Sequence, residues 1–261
     1  MGKKKPSLTD GVTMAYRAIE FRLRLLGSLS SWVSFNRLKK SLLILSLLTP
    51  PICSIGQNLV GLTGGVQFPG ARYEILHQPQ PLQRFLSFQA GAQMKVPFDV
   101  NLYFVPALRY HHRGYDVTFT LSNNLPDPDA IDNSLRMHTV ETAFLLQYDL
   151  GKKATHPFIR FGPSLETHLA GTERFLKSNG EEVKRPVSFA RGNYGKYTGN
   201  LLMEIGLETG SGWFLYGFYT YGGTNMSNRD YGPSIKLRSF GLNIGKFLNG
   251  KKIILDTRNI E

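Results

Sequence analysis

The chain has 261 residues and a formal net charge of +12, a value that suggests a nucleic-acid partner. The distribution of the charge argues against such a partner, because a nucleic-acid binder carries a clustered basic face. Residues 1–56 hold nine Lys and Arg against two Asp and Glu, and no later run of basic residues exceeds two. The one cysteine, Cys53, lies in a segment predicted to be removed, which excludes disulfides, cysteine-ligated zinc and cysteine nucleophiles from the mature chain.

The first predicted element is a signal peptide at residues 37–56. Three basic residues precede a short apolar run at 41–48, and a small-x-small sequence ends at Gly56. These are the three parts of a secretory signal, and the apolar run is far shorter than the ~20 residues of a membrane-spanning helix. We expect cleavage after Gly56. Lipid attachment at Cys53 is the alternative, but the residues just before it are not the small ones usual at such a site.

Residues 1–36 precede the signal, although a secretory signal normally begins near its own basic region. One explanation is a true cytoplasmic extension, in which residues 16–26 place three arginines among apolar residues like a membrane-surface helix. The other is a start site assigned too early, with initiation near Val33, and we favour this second explanation. In both cases the segment is left out of the fold prediction.

After residue 56 the sequence shows no useful helical periodicity and carries strand-like runs bounded by Gly, Pro, Asn and Asp. Most runs are about 10–15 residues long, closer to the ~9–11 residues of a tilted membrane-crossing strand than to the ~5–6 of an ordinary strand. Eight strands are predicted, at 58–68, 84–96, 101–115, 137–150, 156–170, 199–209, 212–226 and 235–248.

The connections between these strands alternate long and short, beginning with a long one. Outer-membrane barrels combine short periplasmic turns with longer extracellular loops, so a periplasmic N-terminus puts every connection on the expected side. A soluble β-sandwich has no reason to sort its loops in this way. We therefore predict an all-β fold, an eight-stranded antiparallel up-and-down transmembrane β-barrel over residues 57–248, followed by a C-terminal tail at 249–261.

Alternation along the strands separates an apolar face from a polar one. In the second strand, Phe88 and Met94 share one face, and Gln93 and Lys95 share the other. This period of two is expected of a barrel with an apolar exterior and a polar interior. In the fourth strand, Leu145 is the exception to the alternation, because it falls on the polar face.

The interior of an eight-stranded barrel is just wide enough for side chains to fill it. Buried charges there must be paired and hydrogen-bonded to be tolerated. We therefore expect an internal ion-pair network and no open pore. The predicted members of this network are Lys95, Arg109, Glu141, Arg160, Glu166, Glu204 and Glu208.

Tyrosine and tryptophan gather where a barrel meets the two membrane interfaces. Seven such residues lie near predicted strand ends, which supports the membrane prediction: Tyr103, Tyr110, Tyr148, Trp213, Tyr216, Tyr219 and Tyr221.

Four segments carry a resemblance to a known family. Residues 101–114, with Pro106 midway and Gly114 at the end, and the segments 157–164, 219–225 and 241–247 resemble strands of the PorT-like outer-membrane β-barrel family of Gram-negative bacteria. The resemblance covers about 58–248. It implies an outer-membrane location and eight strands, but no settled activity. The chain departs from the pattern at its end, because such barrels often finish on an aromatic residue and here thirteen residues follow Leu248.

Little in the sequence points to catalysis. His111 and His112 are adjacent in a strand, so they face opposite sides and cannot share one metal ion. Ser164, Glu166 and His168 share a face, and a lipid hydrolase would need them to face the membrane near the outer rim. They lie instead on the face assigned to the interior, so we expect no catalytic residues, no metal and no cofactor.

The longest predicted loop, 171–198, is rich in charge and is either a solvated loop or a binding surface for a polyanion or a protein. We expect an outer-membrane protein that is not an enzyme, with a structural or interaction role in the cell envelope through its outer loops or its periplasmic end. Its expected partners are outer-membrane lipid and an envelope protein, and no nucleic acid. The alternatives are a membrane-embedded lipid hydrolase, a soluble periplasmic lipocalin-like binder of a small apolar ligand, and a narrow passive channel.

Overall fold

The structure is a computed structural model that describes residues 58–121 and 125–249; the predicted extension, the signal peptide and all of the predicted tail except Asn249 lie outside these ranges. In the described residues, regular structure consists of β-strands. In the same ranges, no α-helix is long and apolar enough to span a membrane. The strands are β1 (Leu59–Ile75), β2 (Gln78–Pro79), β3 (Leu82–Gln83), β4 (Ser87–Pro97), β5 (Leu102–Thr118), β6 (Asp132–Asp149), β7 (His156–Leu176), β8 (Glu182–Pro186), β9 (Tyr197–Glu208), β10 (Trp213–Gly222) and β11 (Ser234–Phe247).

Eight of these strands form one closed antiparallel sheet. Each long strand pairs with the next in the order β1, β4, β5, β6, β7, β9, β10 and β11. The last strand then pairs with the first over a register that runs from Gly61 opposite Phe247 to Glu74 opposite Ser234. The predicted eight-stranded up-and-down barrel is confirmed, and its closure removes the free sheet edge that a membrane would not tolerate.

The two ends of the barrel differ in their connections. Residues 98–101, 150–155 and 209–212 form short turns at one end, which we call the turn end. The other end, which we call the loop end, carries the four long connections, with β2, β3 and β8 inside them. Leu248 donates its backbone N–H to the Val60 carbonyl at 2.7 Å, so both ends of the described barrel meet at the turn end.

The outer face of the barrel is apolar over its middle. In β9, Leu201, Met203 and Ile205 are exposed, whereas Glu204 and Glu208 on the opposite face are buried. A water-soluble barrel such as a lipocalin needs the reverse arrangement, so this alternative is wrong. Polar residues inside and apolar residues outside are what a lipid environment requires.

This polarity reverses towards the loop end, where most of the long strands extend further than predicted, although β4 begins at Ser87 rather than 84 and β10 ends at Gly222 rather than 226. β6 begins at Asp132 rather than 137, and β7 continues to Leu176 rather than 170. At this end of β6, Leu135 and Met137 point inward and Arg136 points outward. Apolar inside and polar outside is the pattern of a protein in water. The barrel wall therefore rises beyond the apolar belt into solvent.

Candidate functional site: the barrel interior and its loop end

The seven charged residues that the sequence assigned to the interior all lie inside the barrel. None of them is more than 3% exposed. The alternation places them there because successive side chains of a strand point to opposite faces. The structure brings them together in three groups, one around Glu204 and Glu141, one around Arg113 and one at the turn end.

The first group is centred on Glu204. Its two carboxylate oxygens bind Arg109 at 2.6 Å and Arg160 at 3.1 Å. Arg160 also donates to the side-chain oxygens of Gln147 at 2.6 Å and of Gln93 at 3.2 Å. One carboxylate thus compensates two guanidinium groups. The side-chain amides of Gln147 and Gln93 accept hydrogen bonds from Arg160 N–H groups that would otherwise be unpaired.

Glu141 adds a second carboxylate to this group. It lies 3.7 Å from Arg109 and 3.1 Å from the His111 ring, and it accepts a hydrogen bond from the Ser164 hydroxyl at 2.8 Å. Buried carboxylates are tolerated when several donors surround them in this way. His111 and Ser164 therefore hold Glu141 in place, and both were among the residues weighed as candidates for chemistry.

The second group contains Arg113, a residue that the sequence prediction left out of the network. Its guanidinium contacts the Glu166 carboxylate and the Ser239 hydroxyl. The Thr198 hydroxyl also lies 3.5 Å from Glu166. The pattern could have identified Arg113, because it shares the inward face of β5 with Arg109.

The third group lies at the turn end. The Lys95 ammonium binds Asp149 at 2.9 Å and Glu208 at 2.7 Å, and His156 lies 2.9 Å from Asp149. Asp149 and His156 were not predicted as members, although Asp149 shares the inward face of β6 with Glu141. Asp149, His156 and Glu208 offer ligand atoms within 4.8 Å of one another, as a metal site would. Lys95 already supplies a positive charge to both carboxylates.

The permanent charges of the three groups nearly cancel. Lys95, Arg109, Arg113 and Arg160 are four cations, whereas Glu141, Asp149, Glu166, Glu204 and Glu208 are five carboxylates. One more positive charge makes the interior neutral. His156 lies beside the two carboxylates that share one lysine, 2.9 Å from Asp149 and 3.9 Å from Glu208.

Aromatic rings fill the space beside these charges. Phe158, Phe214 and Tyr216 pack with Phe218 and Phe247 in one buried cluster. The Arg160 guanidinium lies over the Phe158 ring at 4.2 Å. Tyr216 was predicted at a membrane interface and this is wrong, because it is 1% exposed and its hydroxyl lies 3.2 Å from that of Thr63 inside the barrel.

A small apolar layer lies at mid-height. Leu145 packs with Val105, Ala107, Ala143 and Leu202. Its position on the polar face therefore has a reason, since it fills space between charged layers without adding another charge. The interior combines ion pairs, amides, aromatic rings and aliphatic side chains.

The loop end is closed by a hydrophobic core of its own, which we call the cap. Its buried residues come from the tops of the strands and from three long connections: Tyr73, Ile75, Tyr115, Val117, Leu125, Leu135, Met137, Val187, Tyr194, Met226, Ile235 and Leu237. The Tyr73 hydroxyl accepts from the Leu125 N–H at 3.0 Å and donates to the Leu125 carbonyl at 3.1 Å. These bonds tie one loop to the barrel wall.

Tyr194 ties a second loop into the cap. Its hydroxyl accepts a hydrogen bond from Asn133 on β6 at 3.1 Å. Burial raises the pKa of Tyr194 well above its usual range, and the nearby Glu173 carboxylate adds to this effect. Tyr194 therefore stays neutral, and its ring seals the loop end above the charged interior.

The family model described as outer membrane protein beta-barrel domain matches residues 56–245. The chain belongs to this family. The protein is therefore a transmembrane barrel of the outer membrane, its turn end is periplasmic and its loop end is extracellular. No curated protein matches the sequence significantly.

Several solved outer-membrane barrels resemble the chain at low sequence identity. The attachment invasion locus protein Ail of Yersinia pestis is 12% identical with a TM-score of 0.38, and the match covers 73% of this chain and 98% of that one. The outer membrane protein OprG of Pseudomonas aeruginosa is 12% identical with a TM-score of 0.41, covering 73% and 96%. Neisserial surface protein A is 10% identical with a TM-score of 0.35, covering 71% and 94%.

Within this outer-membrane barrel, Ser164, Glu166 and His168 do not meet the condition for a lipid-facing hydrolase. All three are at most 5% exposed and lie in the interior. Ser164 donates to Glu141, and the His168 ring lies 3.2 Å from the Thr198 hydroxyl. His111 and His112 face opposite sides of β5, because His111 is buried inside and His112 lies on the outer face.

The predicted charged loop 171–198 is partly a β-hairpin. β7 continues to Leu176 and pairs with β8, so residues 171–186 belong to ordered strands and the turn between them. The hairpin lies above the apolar belt, where an irregular loop was expected. Much of its charge is paired, because Arg174 binds Glu182, Lys177 binds Glu181 at 3.1 Å, and Arg185 binds Glu173 at 2.5 Å.

A groove of about 460 Å³ opens beside this hairpin on the extracellular part of the wall. Its charged lining contains Asp116, Asp132, Arg174 and Glu182, and the edge of β3 contributes Gln83. We call it the extracellular groove. It is a mixed polar concavity on an ordered surface, suited to hydrogen bonding and ion pairing with another molecule.

Proposed function

We propose that the protein has a structural or interaction role in the cell envelope and binds a protein partner through its extracellular end. The finer assignment to the PorT-like group belongs to the same proposal, and the segments 101–114, 157–164, 219–225 and 241–247 support it. No catalysis is part of the proposed role.

The proposal rests on one contrast: the interior of the barrel is packed and closed, whereas its extracellular end presents an ordered surface to solvent. The interior holds paired charges and packed rings, and the cap closes it with buried Tyr73, Tyr115 and Tyr194. A filled barrel leaves transport without a path. The ordered wall above the membrane, by contrast, presents a hairpin and the extracellular groove to solvent. Ordered surfaces that carry mixed charge suit recognition of a specific partner.

Conductance separates this role from that of a passive channel. The purified barrel is inserted in a planar lipid bilayer, and the current is recorded under an applied voltage. We expect no steady conductance, because paired charges and packed rings occupy the interior and the cap covers its extracellular end. A stable open channel in the native protein would contradict the proposal. The positive control is the double variant Tyr115→Ala/Arg109→Ala, which removes two large side chains from the interior. It tests whether the assay detects a barrel that has been opened.

Site-specific photocrosslinking in intact cells tests the interaction itself. A photoreactive residue replaces Arg174 or Glu182 at the extracellular groove, and control positions are Leu146 on the lipid-facing surface and Lys152 in a periplasmic turn. We expect one adduct of defined mass at the groove positions. The same adduct only from Lys152 would move the partner to the periplasmic end. If the photoreactive residue gave no adduct at any of the three solvent-exposed positions (174, 182 and 152), this result would contradict an interaction role.

A further inference from the structure

Four basic side chains gather on the outer face where the last strand closes on the first. On this face, Arg72 lies directly opposite Lys236, and Gly70 lies directly opposite Arg238. The fourth side chain comes from the segment before β4. We call the group the seam cluster, and its members are Arg72, Arg84, Lys236 and Arg238.

Arg84 joins the cluster by crossing β1 at Gly70. A Cβ atom at Gly70 would lie 3.2 Å from Cγ and 3.3 Å from Nη1 of Arg84, so a larger residue would press on the arginine. The Arg84 guanidinium donates to the Phe68 carbonyl at 3.1 Å and lies over the Phe240 ring at 5.1 Å. Since Gly70 is paired with Arg238, Arg84 and Arg238 occupy the same patch.

The seam cluster has fewer negative groups than positive ones. Arg72 binds Glu74 at 2.5 Å. Among residues 58–121 and 125–249, Arg84, Lys236 and Arg238 form no ion pair with a carboxylate, and the shielded Nε of Arg238 has no hydrogen-bond partner. Like charges on neighbouring strands destabilise a sheet. An anion placed between them would remove this repulsion and use the free donors.

An apolar groove of about 480 Å³ begins directly below the seam cluster. Phe68 and Phe240 stack at 5.4 Å between centroids at its upper end, immediately under Arg84. Lower down, Gly217 lies between Ile205 and Leu242 on the neighbouring strands and leaves a notch. We call this the seam groove, and it is lined by Phe68, Met203, Ile205, Tyr219, Phe240 and Leu242.

The position of the two features matches the anatomy of a lipid. The groove lies in the apolar belt, and the cluster holds the first charged residues above it on the extracellular side. This is the height of the headgroups of the outer leaflet. Arginine binds phosphate with charge-assisted, often bidentate, hydrogen bonds, and an acyl chain gains by filling an apolar groove.

We propose that the seam cluster and the seam groove form one binding site for a phosphorylated acyl lipid of the outer leaflet. The phosphate lies between Arg84 and Arg238, with Lys236 beside it, and one acyl chain lies along the notch at Gly217. The site is on the outer face of the wall, whereas the ion-pair network is inside the barrel, and the residues that line the seam groove are distinct from those that line the extracellular groove. It binds the membrane itself rather than a protein partner.

Native mass spectrometry of the full purified barrel in detergent tests the site, with bis-phosphorylated lipid A as the probe. The native protein is expected to retain one lipid A. Arg84→Ala/Arg238→Ala is expected to weaken binding by about tenfold or more, because charge-assisted bonds to phosphate are lost. The matched control Lys152→Ala/Lys153→Ala removes the same charge from an exposed periplasmic turn and is expected to bind as the native protein does.

A second variant tests the groove without changing charge. Gly217→Leu fills the notch, and a Cβ there meets only ordinary contacts, the nearest being Leu242 at 3.6 Å. We expect weaker lipid A binding by this variant, while band shifts on unheated gels show that each variant is folded. Equal binding by the native protein and Arg84→Ala/Arg238→Ala would overturn the proposal. So would full competition by inorganic phosphate together with unchanged binding by Gly217→Leu, which would indicate a simple anion site.

Discussion

Arg160 on β7 lies directly opposite Glu204 on β9, and the two form an ion pair of 3.1 Å in the closed interior of the barrel. Both side chains are fully buried, and Glu204 also binds Arg109 at 2.6 Å. Removing one partner of a buried pair is costly because the other charge stays behind without compensation. Glu204 is therefore the residue on which the central layer depends most.

Glu204→Gln is predicted to destabilise the barrel by about 3–5 kcal/mol, the usual cost of breaking a buried pair. The amide keeps the size of the side chain but leaves two guanidinium groups without their shared carboxylate. Urea unfolding in detergent micelles measures the change. The control is Glu181→Gln, which breaks the exposed pair with Lys177 and should cost at most about 1 kcal/mol. Equal stabilities of the two variants would show that the central layer is not held by this carboxylate.

The sequence predicted which residues face inward because a strand has a period of two. Once Glu204 and Arg160 are placed on strands, the apolar residues on either side of each show which face of the sheet is the outer one, and the two charged side chains must lie on the inner face. The pairing of particular charges could not be predicted in this way, because it depends on the stagger between neighbouring strands. That stagger places Arg160 opposite Glu204 and Arg109 opposite Glu141.

The alternation of polar and apolar residues did not predict the cap or the hairpin of β7 and β8. Above the membrane the polarity of the wall reverses, so Leu135 and Met137 break the polar-inside rule. The sequence prediction placed Leu135 in the loop before the fourth strand and Met137 at the first position of that strand. Tyr216 shows the same limit inside the belt, because an aromatic residue fits a lipid interface and a packed interior equally well. Only its neighbours across the sheet decide between the two.

Gly64 and Gly65 are adjacent in β1 and give a matched test of the β1–β11 closure. A Cβ on Gly65 would lie 2.1 Å from the Leu242 carbonyl oxygen, whereas at Gly64 the nearest atom is the Gln89 carbonyl oxygen at 3.8 Å. Gly65→Val is therefore predicted to prevent closure, since backbone must move to admit the side chain. Gly64→Val should fold normally. Gel mobility with and without boiling measures closure, and a normal heat shift for Gly65→Val would refute the prediction.

Tyr73→Phe tests whether the cap is held to the wall by the hydroxyl bonds with Leu125. The change leaves the buried N–H and carbonyl of Leu125 without this partner, which costs about 1–3 kcal/mol of local stability. We expect faster proteolysis in the loop 119–131 and an unchanged unfolding midpoint of the transmembrane wall. Tyr148→Phe on the lipid-facing surface is the control. Unchanged proteolysis in Tyr73→Phe would mean that apolar packing alone holds the loop.

Lys95 gives the prediction with the most direct chemical readout. Its ammonium lies between Asp149 and Glu208, whose carboxylates stand beside His156 in a set that could bind a metal ion. In Lys95→Ala, the two carboxylates lose their permanent cation, and the barrel should lose about 3–5 kcal/mol in metal-free buffer. Zinc accepts histidine nitrogen and carboxylate oxygen in a tetrahedral site. Zn²⁺ is therefore predicted to restore part of the lost stability.

The native protein should show no such response to zinc, because Lys95 already occupies the centre of the group. Lys95→Ala/His156→Ala lacks one ligand and is expected to regain less stability than Lys95→Ala alone. Urea unfolding with and without Zn²⁺ measures all three proteins. Equal stabilisation of the native barrel by zinc would show that the lysine does not exclude a metal ion. No stabilisation of Lys95→Ala would show that removing the charge opens the layer rather than leaving its ligands in place.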